Sequence, residues 1–308
     1  ATCDMNGKTI SGNSTINRLL ITSATIGTPG TLILNGGTFA NADFRDITFS
    51  SASDLDLSAI TGLSGDSGGN SITGGGTVLT FTTAVDQHWI SATGGNWYDV
   101  TKWTSRIPLP QDDVYFDNAF SASQTVTANM RRLGKSIDWT GATGNPTFSI
   151  NSTVNSLYGS LTLIAAMTLT TGQTLSFAGR GSFTLTNAGK SFGVVNIIMF
   201  GGTLTLQDAY IGTGTLTLNN GILIDNGFSI SLSSFSSSNT NVRTITKTGT
   251  WTLTGTGTIW TTATSTNLTF SDSGTISITD VSATSKTFEG GGKTYNNISI
   301  TGGGTGAV

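Results

Sequence analysis

Glutamate occurs once in this 308-residue chain, at Glu289, and histidine and cysteine also occur once each, at His88 and Cys3. One histidine excludes a histidine-based metal cluster, and any Ser-His-Asp site would have to use His88. One cysteine excludes an intrachain disulfide framework, so Cys3 reads as a free thiol. Charged residues are 10% of the chain, against roughly 25% in ordinary domains. The net charge of -3, with 14 basic residues, leaves no electrostatic footprint for nucleic acid. The one basic group, Arg131, Arg132 and Lys135, reads as a solvated face. No apolar run is long enough to span a membrane. Scarce Glu and Lys also argue against a mostly helical fold.

What is present is Thr, Ser, Asn and 41 Gly, together with 15 Phe and 6 Trp. Thr suits the solvent face of a strand without charge repulsion. The aromatic residues and repeated aliphatic pairs supply a core, which sets the chain apart from a disordered Gly/Ser/Thr tract. The expected class is all-β, as one elongated domain or two compact ones. Three regions suggest themselves: a β-rich module at 1–75, a Trp/Pro/Asp module at 76–140, and repeats at 141–308.

In the first region short strands, TINRLLI, TLIL, FRDITF and LDL, are divided by turn signals such as Thr28-Pro29-Gly30 and Asn35-Gly36-Gly37. Residues 61–77, TGLSGDSGGNSITGGGT, are expected to be a linker or surface loop. Within it, Gly65-Asp66-Ser67-Gly68-Gly69 matches a serine-protease nucleophile loop by letters alone, because His88 follows Ser67 where that family's histidine precedes its serine. From Gly94 to Asn118 the chain gathers Trp97, Trp103, Pro108 and Pro110, with a turn or edge expected around Ile107 to Gln111 and a strand at 114–116.

The third region repeats. LTL at 161–163, FTL at 183–185 and LTL at 204–206 are spaced by 22 and 21 residues, and ISI at 276–278 returns after 22 at 298–300. About 21 residues is one coil of a parallel β-solenoid, with Leu161, Leu163, Phe183, Leu185, Leu204 and Leu206 inward. Asn187, Asn219, Asn220 and Asn226 suit its corners, and SSFSSSNTN at 233–241 is expected to protrude. The competing architecture is a β-sandwich of hairpins, which also uses short strands at close spacing.

The segment GNWYDVTKWTSRIPLPQDDVYFDN resembles the GNW…W…P…DDV.F element of large secreted β-solenoid surface proteins and of viral or phage fibre proteins. The later WTLTGTGTIW and GGGKTYNNISITGGGTG resemble the repeats that follow it there. The resemblance covers roughly 88–308 and implies an extracellular or virion-surface stalk or adhesin. The chain opens at Ala1, shows no signal peptide and closes on GGGTGAV, so it is expected to be a piece of something longer that self-associates as an oligomer or filament.

Three kinds of site are conceivable. Asp99, Asp112, Asp113 and Asp117 offer hard oxygen ligands for a structural Ca²⁺, although aspartates also mark turns; no other cofactor is implied. Trp89 and Tyr98, with the loop residues Asn239 and Asn241, are the candidates for stacking on and hydrogen bonding to a surface glycan. Paired carboxylates would suit a tailspike-like polysaccharide-degrading enzyme, but Asp208, Asp225, Asp272 and Asp280 are dispersed. The leading expectation is a non-enzymatic structural or adhesive segment.

Overall fold

The structure, a computed structural model, describes residues 1–302; of the terminal GGGTGAV, all but Gly302 lies outside the described residues. Among the described residues every pairing between strands is parallel, and the one antiparallel contact is an isolated bridge between Trp89 and Trp103. A sandwich requires antiparallel hairpins, so the fold is a solenoid. There are two of them. A short one is built from strands between Thr2 and Thr80, and a long one from strands between Gln87 and Ile300.

The long solenoid winds around a single apolar core. Its front ladder runs Gln87–His88, Val114–Tyr115, Ile137–Asp138, Leu161–Thr162 and Ser182–Thr186. It continues through the second halves of Val195–Leu206 and Thr215–Ile224 to Arg243–Lys247 and Leu268–Asp272. This ladder has nine rungs among the described residues, roughly 38 Å of stack at about 4.8 Å per strand. Strands between Gln87 and Asp138 thus share their sheets with the later repeats, whereas Leu79–Thr80 pairs with Leu55–Asp56 of the short solenoid.

The register refines the repeat. Gln87 pairs Val114, 27 residues on, whereas Leu204 pairs Leu223, only 19 on. Leu161 pairs Leu185 and not Phe183. Leu161, Leu163, Leu185, Leu204 and Leu206 are buried as expected, but Phe183 is only half-buried. The preceding coil brings just Leu161 and Thr162 to that ladder, so Phe183 has no ladder neighbour on one side. The expected protrusion at 233–241 is also corrected. Ser234–Ser236 is a rung, with Phe235 and Ser237 buried. Its alternation of Ser and Phe was masked by the serine run.

Hydroxyls line the outer faces and bond between coils, as Thr215 does with Ser234 at 2.8 Å. Among the expected corners only Asn226 takes a positive φ, 53°, where a short side chain tolerates the left-handed region. Asn219 and Asn220 instead lie inside the strand Thr215–Ile224. At the Asn226 corner three inward charges stack on successive coils: Asp225, Lys247 and Asp272. Lys247 Nζ donates to Asp272 at 3.0 Å. Asp225 accepts from the backbone N–H groups of Thr248 and Gly249 and from Trp251 Nε1.

The short solenoid stacks Thr2–Asp4, Gly30–Ile33, Ile47–Ser50 and Ser71–Thr73 on one face and pairs Thr38–Arg45 with Thr9–Ser11, Leu19–Thr22 and Thr61–Asp66 on another. The glycine-rich 61–77 segment is therefore a coil and not a linker. Its glycines are there for clearance: a Cβ on Gly65 would lie 2.2 Å from Asp43 Oδ1, and one on Gly69 2.4 Å from Asp46 Oδ1.

Those two aspartates lock the solenoids side by side. Asp43, fully buried, accepts from Arg18 Nε at 2.8 Å and from Arg132 Nε of the long solenoid. Arg132 also donates to the Arg18 carbonyl at 2.6 Å, and Arg18 to that of Pro108 at 3.3 Å. Asp46 receives Arg180, and Arg45 donates to the Ile198 carbonyl at 2.9 Å. Arg132, expected in a solvated cluster, is thus buried because it supplies the counter-charge that Asp43 requires. Ser67 of the protease-like letters is buried in the same seam.

Three outcomes follow for unfolding in denaturant. Leu185→Asp should cost several kcal/mol by burying an unpaired charge in the core. Asp43→Ala should cost about 3–5 kcal/mol, since it strands two arginines. Burial alone pushes the Asp225 carboxyl up, but donors from Trp251, Gly249 and Thr248 outweigh it and hold the group below its ordinary 3.8. Its contribution is therefore present above about pH 4 and lost as pH falls through the lowered value; Asp225→Asn should flatten the acid limb of the stability profile.

Candidate functional site

The aromatic segment that leads into the front ladder forms the first coil of the long solenoid and closes its end. After Gly95–Asn96 the chain makes a short 3₁₀ turn, Val100–Lys102, capped by Asp99, whose side chain accepts from the Thr101 N–H. It then runs back along the first strand: Ile90 N–H donates to the Lys102 carbonyl at 2.8 Å, and Thr104 N–H to the His88 carbonyl at 3.1 Å. An exposed strand edge invites pairing with another chain. Here residues 102–104 occupy it. The prolines then turn the chain, with Pro108 and Pro110 both buried.

Beneath this cover lies an aromatic cluster. Trp103 meets Trp89 edge-on at 5.0 Å and Trp97 at 4.9 Å, and Phe116, Phe120, Trp139 and Phe148 continue the cluster into the next coils. Trp103 Nε1 donates to the Trp97 carbonyl at 2.8 Å, whereas Nε1 of Trp89, Trp97 and Trp139 has no acceptor. Packing, more than hydrogen bonding, holds the cluster. Trp89, expected as a glycan platform, is 0% exposed and has no ring face open to a sugar. It occupies an inward position of the first strand, beside outward His88.

The four aspartates do not converge. Asp99 caps its turn. Asp112 is buried, receiving Val85 N–H, Leu109 N–H and Arg106 Nη2 at 2.7 to 2.9 Å. Asp113 pairs with Lys135 at 3.0 Å, and Asp117 with His88 Nδ1 at 2.7 Å. No group of three or more His, Cys, Asp or Glu side chains among the described residues is arranged to hold a metal ion. The expected Ca²⁺ set is therefore replaced by separate turn and ion-pair roles, because each carboxylate already has protein donors. Burial pushes the Asp112 carboxyl up, against the opposing pull of Val85, Leu109 and Arg106.

The exposed chemistry sits on the outward positions of the first rungs. His88 stacks on Tyr115 with ring centroids 5.1 Å apart and planes 21° apart, and register places Asp138 on the next rung. Desolvation, with Asp86, Asp113 and Asp138 nearby, raises the Tyr115 phenol above its ordinary value. Tyr98 is 38% exposed in the same first coil. Asn239 and Asn241 lie six coils away, roughly 29 Å along the stack. There Asn241 N–H donates to the Asn239 side chain, and Asn241 Nδ2 to the Asn219 carbonyl at 2.9 Å. The candidate glycan residues therefore do not form one site. The platform that sequence reasoning passed over is His88 with Tyr115 and Asp117; the 27-residue spacing from His88 to Tyr115 is longer than the repeat that was legible.

No family model, curated protein or solved structure matches the chain.

Trp103→Ala should cost about 3–5 kcal/mol, the usual penalty for emptying a large aromatic site, and should expose the first strand's edge. Thermal unfolding and ANS binding would read both effects. Unchanged stability would contradict the capping role.

Proposed function

We propose that the chain is a structural and adhesive segment of an extracellular or virion-surface fibre, a stiff element that displays side chains along a neutral surface. The observation that carries this reading is the side-by-side locking of two solenoids through buried ion pairs, with one continuous apolar core in the longer. Such a body resists bending because successive coils are bonded to one another and those between Pro108 and Ile198 are bonded to the flanking solenoid as well. Its hydroxyl-lined faces keep it hydrated with few charges. Among the described residues no helix is long and apolar enough to cross a membrane.

The exposed His88–Tyr115–Asp117 group favours glycan retention as a second reading. A sugar's C–H face meets an aromatic ring while a carboxylate and imidazole take its hydroxyls. Retention needs only stacking and hydrogen bonds, whereas hydrolysis needs two carboxyl groups about 5–10 Å apart across the bond. Asp113 and Asp117 are each engaged by a basic side chain, which favours holding over cleaving.

Incubation with a panel of surface polysaccharides, followed by sizing of the products, tests this. Retention without shortening is expected, weakened by Tyr115→Ala. Progressive shortening that is abolished by Asp117→Asn would overturn the non-enzymatic reading.

A further inference from the structure

At one end of the seam the two solenoids part to leave a cleft of about 460 Å³, within the range of ligand pockets, about 300–1,000 Å³. The short solenoid lines it with Asn13, Ile16 and Arg18, the long one with Asn129, Arg131 and Arg132. We propose that this cleft binds an acidic oligosaccharide, with a uronate carboxylate on the arginines and a sugar hydroxyl on Asn13.

Charge is the first argument. Three arginines line the cleft and no acidic residue does. The Asp43 carboxylate behind them is shared by Arg18 and Arg132, so the site keeps an excess of positive charge. Arg131 is exposed, and its guanidinium makes no ion pair or hydrogen bond among the described residues. Arg132 is only 8% exposed. Its Nε and Nη2 are held by Asp43 and the Arg18 carbonyl, while Nη1 has no protein acceptor and is not an occluded atom. A fixed guanidinium with one free nitrogen, beside a second and exposed one, suits a carboxylate.

Hydroxyl recognition adds to this. Asn13 lines the cleft and is exposed, so its amide has both a donor and an acceptor to offer a sugar hydroxyl, of which a bare anion uses only the donor. Ile16 and Leu19, both lining the cleft and both exposed, supply apolar surface for the sugar's C–H face. The cleft shares no lining residue with the His88–Tyr115 platform, so failure of this proposal would leave the structural reading intact.

Titration calorimetry of the full chain with trigalacturonate and with trimannuronate tests the site, with neutral galactotriose and inorganic sulfate as controls. At least one acidic trimer should saturate a single site. Affinity should fall at least tenfold in Arg131→Ala and severalfold in Asn13→Ala, with sulfate far weaker and galactotriose silent. Arg131 is on the surface, so its variant should keep the wild-type melting curve and isolate binding from folding. Absence of saturable binding by both trimers, binding indifferent to Arg131→Ala, or sulfate binding as tightly as the trimers would each overturn the proposal; the last would mean general anion affinity only.

Discussion

A carboxylate buried without a counter-charge is too costly to keep, and Asp43 is buried at the line where two solenoids meet. Its two oxygens take one arginine from each side, Arg18 from its own module and Arg132 from the other. Asp46 repeats the arrangement with Arg180. Neither module satisfies these aspartates fully by itself, so the relative placement of the two bodies is written into their charge pairing. The worth of such a pair lies less in net stability than in what its loss would leave unpaired. Buried ion pairs here act as fasteners that fit in one register.

The same constraint explains the glycines. A side chain at Gly65 or Gly69 would push against the aspartates that the arginines must reach. What reads in sequence as a flexible run is a thin wall that lets two charged groups approach. At the adjoining end of the long solenoid a different problem arises, an open strand edge over an apolar interior, and the tryptophan-rich segment meets it. Trp103 covers Trp89 and Trp97, and residues 102–104 pair with the first strand. Pro108 then lends its carbonyl to Arg18, so cap and seam share a segment.

Much of the fold was legible because alternation and spacing are local properties. Triplets such as Leu204-Thr205-Leu206 reveal which face is inward, and their recurrence reveals the coil. Exact register was less accessible: along the front ladder alone a coil stretches from 19 to 27 residues through its corners, so Phe183 was aligned with the wrong rung. Composition misled where glycine or serine served packing, at 61–77 and 233–241. Of the candidate sites, Tyr98 is exposed as read, but Trp89 was not separable from His88 without knowing which neighbour points inward. The aspartates cluster in sequence yet do not converge, because Asp99 and Asp112 hold turn N–H groups while Asp113 and Asp117 pair with Lys135 and His88. Arg132 and Asp43, 89 residues apart, carry no local signal of their pairing.

The account turns on the two solenoids forming one rigid body. Pulsed electron–electron resonance between nitroxides at the exposed positions Ser53 and Ser121, in a Cys3→Ser background, measures this directly. One narrow distance distribution, unchanged between low and high salt because the ion pairs are buried, is predicted. A broad or multimodal distribution, or one that shifts as salt is raised, would contradict the locked arrangement.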